Sequence, residues 1–213
     1  MRILLGLVCL VPLACSSPVS DSSATAEPAS AAAAPEAAAE PAAKAGPDAE
    51  VREQIAYFAG GCFWGVEHYL EQMDGVASVE SGYMGGHIES PTYQQVSSQT
   101  SGHLETVEVR FDANRVSYYD VAKRFFEIHD PTQANGQGPD IGPEYLSVVF
   151  YADDAQKKDT ETLIGLLRER GYDVVTTVRK AEKFWPAEDY HQNYYANSGK
   201  KPYCHARVRR FDD

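Results

Sequence analysis

The stretch Gly60-Gly61-Cys62-Phe63-Trp64-Gly65 decides how this chain is organised. An apolar run, Ile55 to Ala59, precedes it and apolar residues at helical spacing follow it, which predicts a strand, a glycine turn and a helix with Cys62 in its first turn. Backbone N–H groups and the dipole at a helix N-terminus favour an anion, and therefore a thiolate over a thiol. Cys62 is thus a candidate reactive cysteine beside an aromatic wall; the alternative is a buried, inert cysteine on a glycine-rich turn.

The chain changes composition near Glu50. Residues 16–48 are rich in Ala, Pro, Ser and Glu and contain no aromatic residue. Such a segment cannot bury enough apolar surface to offset the entropy lost on ordering. Residues 51–213 have a mixed, aromatic-containing composition and are long enough to build one core. We therefore expect a disordered tether over residues 15–50 and a single folded domain over residues 51–213.

The first 14 residues have the pattern of a signal peptide, because a short basic start precedes an apolar run too short for an ordinary membrane span. The sequence Leu13-Ala14-Cys15 resembles a bacterial lipoprotein cleavage site, in which Cys15 becomes the lipidated N-terminus. Pro12 stands where a leucine is usual, so plain secretion or an uncleaved anchor are the alternatives. We expect an exported, periplasmic protein held at a membrane by a lipid anchor.

Charge and cysteine content narrow the possible functions. The chain has 19 Lys and Arg against 31 Asp and Glu, a formal net charge of −12, and no basic stripe, which argues against nucleic acid. Of the four cysteines only Cys62 and Cys204 fall in the folded part, which leaves a catalytic pair or one structural disulfide possible. The six histidines show no paired ligand spacing and no phosphate loop is present, so we expect no metal and no cofactor. Nothing indicates an obligate interface, and a monomer is expected.

The patterns along the folded part predict an α+β fold. Predicted strands are Ile55–Ala59, Val76–Tyr83, Glu105–Phe111, Tyr145–Tyr151 and Val174–Val178. Predicted helices run from Cys62 to Met73, from a Ser117 cap to Ile128, from an Asp153 or Asp154 cap to Glu169, and from Ala187 to Ala196. This order resembles a split βαβ, ferredoxin-like two-layer sandwich with a mixed sheet. The long loop His129–Pro143 is expected to be functional, and the tail Gly199–Asp213 to be loosely ordered.

Several blocks, in order along the chain, resemble one family. They are Gly61-Cys62-Phe63-Trp64-Gly65, Gly82-Tyr83-Met84-Gly85-Gly86, Pro91-Thr92-Tyr93, Gly102-His103-Leu104-Glu105, the loop from His129 through Gly142 with Tyr145, Ala187–Gln192, and Lys201-Pro202-Tyr203-Cys204-His205. Together they resemble the methionine sulfoxide reductase A family from about Ile55 to Arg207. The chain departs from the family pattern at Ser101, Gly136 and Leu146, which are not among the proposed chemical groups.

The resemblance implies an enzyme that reduces the S epimer of methionine sulfoxide, free or in proteins. This reaction needs a soft nucleophile to attack sulfur and an acid to protonate the departing oxygen. The resemblance makes Cys62 the nucleophile and Glu105 the acid. A carboxyl group near an apolar pocket has a raised pKa, which suits it to this role. Without the resemblance, Glu105 would be interpreted as an ordinary surface glutamate at the start of a strand.

The resemblance also implies roles for residues around this pair. Tyr93 and Tyr145 would hydrogen-bond the sulfoxide oxygen as it gains negative charge, and Asp140 would orient substrate or water in the same polar cluster. Phe63 and Trp64 would form the wall of a pocket for the S-methyl group, where sulfur and methyl gain from aromatic contact. Simple core packing is the alternative for the two aromatic residues.

The resemblance finally implies how the enzyme is recycled. Cys62 would end as a sulfenic acid and condense with Cys204 to a disulfide, which a thioredoxin-like protein would reduce. A permanent structural disulfide between the two cysteines is the alternative. An exported enzyme is out of reach of cytosolic thioredoxin, so a periplasmic or membrane-relayed reductant is implied. The competing interpretation of the whole chain is a two-cysteine thiol peroxidase or a redox-sensing lipoprotein.

Overall fold

The computed structural model describes residues 50–211. The predicted signal peptide over residues 1–14, Cys15 and the predicted tether up to residue 49 lie outside the described residues. Among the residues that are described, no helix is both long and apolar enough to cross a membrane.

Within residues 50–211, one mixed sheet of six strands forms the centre of the domain, and a short hairpin adds two more strands. In chain order the strands are β1 (Glu53–Ala59), β2 (Val76–Met84), β3 (Leu104–Asp112), β4 (Gly136–Gln137), β5 (Asp140–Ile141), β6 (Val148–Tyr151), β7 (Thr177–Lys180) and β8 (Trp185–Pro186). The sheet order is β7-β6-β1-β3-β2-β8, with β4 and β5 paired separately. Its four middle strands are antiparallel and follow the ferredoxin-like order, while β7 runs parallel to β6. The predicted α+β fold with a mixed sheet is confirmed.

Five helices of the described part of the chain accompany the sheet. They are α1 (Phe63–Leu70), α2 (Tyr93–Ser97), α3 (Tyr118–Ile128), α4 (Asp154–Glu169) and α5 (Tyr194–Ser198), and two 3-10 turns lie at Pro143–Tyr145 and Asp189–His191. The predicted caps are present: Ser117 accepts the Asp120 N–H, and Asp153 accepts the Gln156 N–H. Buried side chains of α1, α3 and α4 share one apolar cluster with β1 and β3, so these helices cover one face of the sheet.

Some predicted elements have different bounds, and each has a local reason. Tyr145 lies in the turn that starts at Pro143, so the strand predicted from Tyr145 begins only at Val148. The predicted helix from Ala187 to Ala196 is broken, because Asn193 adopts a left-handed conformation with φ of 54°.

Three further differences concern element limits. The first helix stops at Leu70 rather than at Met73, and the last predicted strand is Thr177–Lys180 rather than Val174–Val178. The polar segment before β3 contains the short helix α2, capped by Thr92. Its Thr92 and Gln95 form a capping box, in which each side chain accepts the other's backbone N–H, so two polar residues stabilise a helix without an apolar repeat.

The C-terminal tail packs against the domain, although its described residues, up to Phe211, contain no helix beyond α5. The side chains of Cys204, His205 and Phe211 are buried, and the Val208 N–H donates to the Glu127 carbonyl oxygen. The sequence predicts a loosely ordered tail, whereas these contacts hold it against α3, and His205 bonds the Gly60 carbonyl oxygen in the turn after β1. The structure therefore brings Cys204, which lies near the C-terminus, close to the turn between β1 and α1.

Candidate active site

The turn between β1 and α1 places Cys62 at the N-terminus of the helix. Gly61 has φ of 93°, and a Cβ atom there would lie 2.4 Å from Cβ of Gln137, so both conformation and space favour glycine. Cys62 is the N-cap residue of α1, with φ −54° and ψ 117°. The predicted strand, glycine turn and helix are therefore all present, with the thiol at the helix terminus.

The surroundings of Cys62 favour the thiol over the thiolate. Its side chain is 6% exposed and lies against Cys204. The contact with the Cys204 thiol and burial both raise the pKa of Cys62, and they outweigh the Trp64 N–H, which lowers it. The expectation that the helix terminus favours a thiolate is wrong for this arrangement, because the neighbouring thiol and the loss of water dominate.

Glu105 lies inside the domain beside the nucleophile. It shares a face of β3 with Val107 and Val109, since alternate residues of a strand point the same way, and its side chain is 3% exposed. The Phe63 N–H donates to Glu105 Oε2 over 3.0 Å. Burial raises the pKa of Glu105 well above its usual range and the nearby Cys62 raises it further, while the Phe63 N–H lowers it. Glu105 can therefore hold a proton at neutral pH.

Two tyrosines are close enough to Glu105 to feel its charge. Burial raises the pKa of Tyr93 and of Tyr145, and the second cause in each case is the charge of Glu105. Both hydroxyls therefore remain protonated and able to donate at neutral pH. Tyr93 begins α2 and its N–H donates to Glu188 Oε1 over 2.8 Å, while Tyr145 ends a 3-10 turn. Glu144, 4% exposed, adds a further carboxyl group beside Tyr145.

Asp140 and the tail close the other side of the site. The Tyr203 hydroxyl lies 3.0 Å from each Asp140 carboxylate oxygen and donates to that group. The sulfur atoms of Cys62 and Cys204 and a carboxylate oxygen of Asp140 all lie within 4.8 Å of one another. Two thiols and a carboxylate are donors that a thiophilic divalent cation accepts, so this group of described residues could hold a metal. Spacing along the sequence did not indicate it, because its members lie on distant segments.

The aromatic residues after Cys62 form a wall with a histidine that sequence reasoning missed. The Phe63 ring is 1% exposed and its centroid lies 5.0 Å from that of His191. Trp64 stacks on Tyr194 at 3.7 Å, and its indole N–H donates to His191 Nδ1 over 3.1 Å. The Tyr93 ring lies 4.6 Å from the same imidazole. His191 thus joins the two residues predicted for the methyl pocket to one predicted for oxygen binding.

Glu188 is a second missed residue, and it connects β2 with α2. It accepts the Tyr83 hydroxyl at 2.9 Å and the Tyr93 N–H at 2.8 Å. The only sequence signal for Glu188 and His191 was their place in the Ala187–Gln192 block, which carried no role.

The six residues predicted to be catalytic therefore converge, and so do Phe63 and Trp64. The arrangement combines a thiol nucleophile, a proton-holding carboxyl group, two hydroxyl donors and a second thiol within reach of the first. The site can attack an electrophilic atom, protonate a leaving oxygen and then form a disulfide. Cys15, predicted to be lipidated, lies outside the described residues.

Comparison with known proteins gives one consistent family. The model of the peptide methionine sulfoxide reductase family matches residues 54–213. A peptide methionine sulfoxide reductase MsrA of Natronomonas pharaonis is 47% identical over 152 residues, which are 70% of this chain and 85% of the relative. One of Nautilia profundicola is 46% identical over 149 residues, covering 70% and 86%.

Solved structures agree with this assignment. Mxr1 of Saccharomyces cerevisiae in reduced form has a TM-score of 0.69 and 28% identity, covering 73% of this chain and 92% of the other. Methionine sulfoxide reductase A of Corynebacterium diphtheriae has a TM-score of 0.62 and 28% identity, covering 69% and 76%. Mxr1 in complex with Trx2 matches less well, with 18% identity and a TM-score of 0.50 over 76% and 96%.

Proposed function

The chain belongs to the peptide methionine sulfoxide reductase family and is an enzyme that reduces methionine sulfoxide; from this premise we propose that it acts on the S epimer through a sulfenic acid on Cys62. Methionine sulfoxide gives its oxygen to the Cys62 sulfur and leaves as methionine. Cys204 then closes a disulfide, which an external dithiol reduces.

One observation carries this proposal: Glu105 is buried and accepts the backbone N–H of Phe63, the residue that follows Cys62. Sulfoxide oxygen is a poor leaving group unless it is protonated, so the acid must stand beside the nucleophile. A thiol peroxidase needs no such acid next to an apolar wall. The raised pKa of Glu105, due first to burial, supplies a proton at neutral pH.

The first step follows from the positions around the thiol. Cys62 attacks the sulfur of the substrate while Glu105 gives its proton to the oxygen. Tyr93 and Tyr145 donate hydrogen bonds to that oxygen as it gains charge, and these are strongest in a site from which water is excluded. Substrate entry displaces the Cys204 thiol from Cys62, which removes the largest cause of its raised pKa. The nucleophile therefore becomes more easily ionised when substrate is bound.

Selection of one epimer follows from three directions in the site. The sulfur of methionine sulfoxide carries a methyl group, an oxygen and the rest of the side chain. The methyl group lies against Phe63 and Trp64, the oxygen points to Glu105, and Cys62 approaches from a third side. Exchanging methyl and oxygen would place a polar atom on the aromatic wall and leave the buried acid without its partner, which is unfavourable. We propose S as the accepted epimer, in line with the family resemblance.

Recycling uses the second thiol and an external protein. Cys204 already lies within 4.8 Å of Cys62, so disulfide formation needs only a small approach. A thioredoxin-like dithiol then reduces the disulfide. The yeast relative Mxr1 was crystallised in complex with Trx2, which agrees with a partner of this class.

We further propose that the enzyme is exported and repairs oxidised proteins outside the cytoplasm. The support is in the sequence: an apolar leader, the Leu13-Ala14-Cys15 site and a tether of Ala, Pro, Ser and Glu. A tethered monomer of this kind can reach substrates near the membrane that holds it. Mass spectrometry of the mature N-terminus tests this: a diacylated Cys15 is expected, and a free N-terminus elsewhere contradicts the anchor.

The activity is tested with both epimers of a methionine sulfoxide peptide and dithiothreitol as reductant. The purified protein should convert the S epimer only, and Cys62→Ser should convert neither. Conversion of both epimers at similar rates, or an active Cys62→Ser protein, would contradict the proposal.

A further inference from the structure

The imidazole of His205 is in direct contact with the thiol of Cys204. Its Nδ1 lies 3.0 Å from Cys204 Sγ, and its Nε2 lies 2.8 Å from the carbonyl oxygen of Gly60. A carbonyl oxygen only accepts, so Nε2 carries the hydrogen and Nδ1 is left with a free lone pair. The lone pair points at the thiol, which makes Cys204 the donor and His205 the acceptor.

The glycines of the opening stretch hold this ring in place. A Cβ atom on Gly65 would lie 2.2 Å from His205 Nδ1, and one on Gly61 would lie 3.3 Å from His205 Cε1. The imidazole therefore packs directly on the backbone of the turn that carries Cys62. Since the ring is 4% exposed and tied to Gly60, its orientation toward Cys204 is fixed by its surroundings.

The hydrogen bonds also require a neutral ring, because only an Nδ1 with a lone pair can accept the thiol hydrogen while Nε2 donates to Gly60. The titratable groups that act on this ring are Asp140, Cys204, which is in contact with it, and the imidazole of His129.

We propose that His205 is the general base that activates Cys204 in the resolving step, an inference that rests on the proposed sulfenic acid on Cys62. His205 Nδ1 takes the proton of the Cys204 thiol, and the thiolate attacks the sulfur of Cys62. The S–S bond forms while the S–O bond of the sulfenic acid breaks with its electron pair on oxygen. The leaving hydroxide takes the proton from His205, so one water is released and the imidazole is neutral again.

The surroundings of Cys204 explain why a base is needed. Cys204 is 7% exposed and its sulfur lies within 4.8 Å of an Asp140 carboxylate oxygen, so the proton that leaves the thiol and the thiolate charge it leaves behind need a partner inside the site. An imidazole in contact keeps the two charges paired while they exist. A cleft of about 240 Å³ reaches Cys204 and His205 from the tail side and gives the released water a way out.

The test uses His205→Gln, because the glutamine amide can still donate to the Gly60 carbonyl and accept the thiol hydrogen bond but cannot take a proton. The reduced full-length protein is mixed with one equivalent of the S-epimer peptide and quenched at intervals. Each sample is then analysed for the amounts of methionine, of disulfide and of sulfenic acid trapped by a cyclic 1,3-dione. The matched control is His103→Gln, another buried histidine whose two ring nitrogens bond Gly86 N–H and the Ile88 carbonyl.

His205→Gln should release methionine in the first turnover at nearly the wild-type rate, then close the disulfide at least about tenfold more slowly at neutral pH, so that trapped sulfenic acid accumulates. The deficit should shrink as pH rises, because hydroxide then takes the proton that the imidazole no longer takes. Disulfide closure at the wild-type rate, a deficit that persists at high pH, or an equal deficit in His103→Gln would overturn the assignment. A wild-type protein that releases no methionine would instead overturn the proposed function.

Discussion

The Phe63 N–H donates to Glu105 Oε2 over 3.0 Å, although the two residues are 42 positions apart in the chain. This bond joins the first turn of α1, which carries the nucleophile, to the start of β3, which carries the acid. It also opposes the rise in the Glu105 pKa that burial causes. The carboxyl group is thus oriented toward Cys62 while it keeps a pKa high enough to deliver a proton.

Removing this proton should slow the chemical step without unfolding the domain. In Glu105→Gln the amide oxygen can still accept the Phe63 N–H, but the side chain has no proton of suitable acidity. We expect kcat for the S epimer to fall by about 10²- to 10⁴-fold, the usual contribution of a general acid. Steady-state turnover with dithiothreitol measures the loss. Glu108→Gln is the control on the other face of β3, and an equal loss there would contradict the role of Glu105.

Glu105 should also make the domain less stable as pH rises. Burial raises its pKa in the folded state, so the folded protein holds this proton more tightly than the unfolded chain, where a glutamate titrates at about pH 4.3. The contribution to stability is present below the unfolded pKa and is lost as pH rises through the folded value. Glu105→Gln should therefore be slower in catalysis yet have a higher Tm than the wild type at neutral pH. Thermal unfolding of both proteins at about pH 4 and pH 8 checks this. A Tm of Glu105→Gln below that of the wild type at pH 8 would contradict it.

Cys204 should be needed with one reductant and dispensable with another. Cys204→Ser leaves the Cys62 sulfenic acid without a thiol partner, so no disulfide forms for thioredoxin to reduce. We expect one methionine per protein with thioredoxin and continued, slower turnover with dithiothreitol, which is small enough to reach Cys62. Full cycling with thioredoxin would exclude the resolving role.

The Trp64 wall should act on substrate binding more than on chemistry. Its indole stacks on Tyr194 at 3.7 Å and donates to His191, so truncation removes the wall and frees the imidazole. Trp64→Ala should raise KM for methionine sulfoxide by about tenfold, the effect of losing roughly 1.4 kcal/mol of binding. Trp64→Phe keeps an aromatic ring, so its KM should lie between those of the wild type and Trp64→Ala. Unchanged KM in both variants would leave the wall with a packing role only.

Local patterns predicted the fold well where neighbours along the chain decide structure. The strand, glycine turn and helix around Cys62 follow from hydrophobic period and glycine placement, and so do the capped helices α3 and α4. The Pro143 turn and the left-handed Asn193 shifted other bounds by a few residues, because a single backbone conformation there overrides the residue pattern.

The site was predictable only in part, for a physical reason. The alternation of β3 places Glu105 on the face of Val107, but the residue pattern alone favours a surface glutamate at the start of a strand, and its burial depends on tertiary packing. The contacts of His191 and His205 depend on which distant segments meet, and no local pattern reports them. The thiolate expectation for Cys62 failed for the same reason: the helix terminus is local, whereas the Cys204 contact that outweighs it is not.

The central claim is that oxygen passes from methionine sulfoxide to Cys62, and Cys204→Ser allows the direct measurement. The reduced variant is mixed with one equivalent of S-epimer peptide and a cyclic 1,3-dione. The protein is then digested, and the masses of its fragments are measured by mass spectrometry. We predict one methionine per protein and a single dione adduct on Cys62, with no adduct when the R epimer is used. Methionine released without an adduct on Cys62, or an adduct on another residue, would contradict the account.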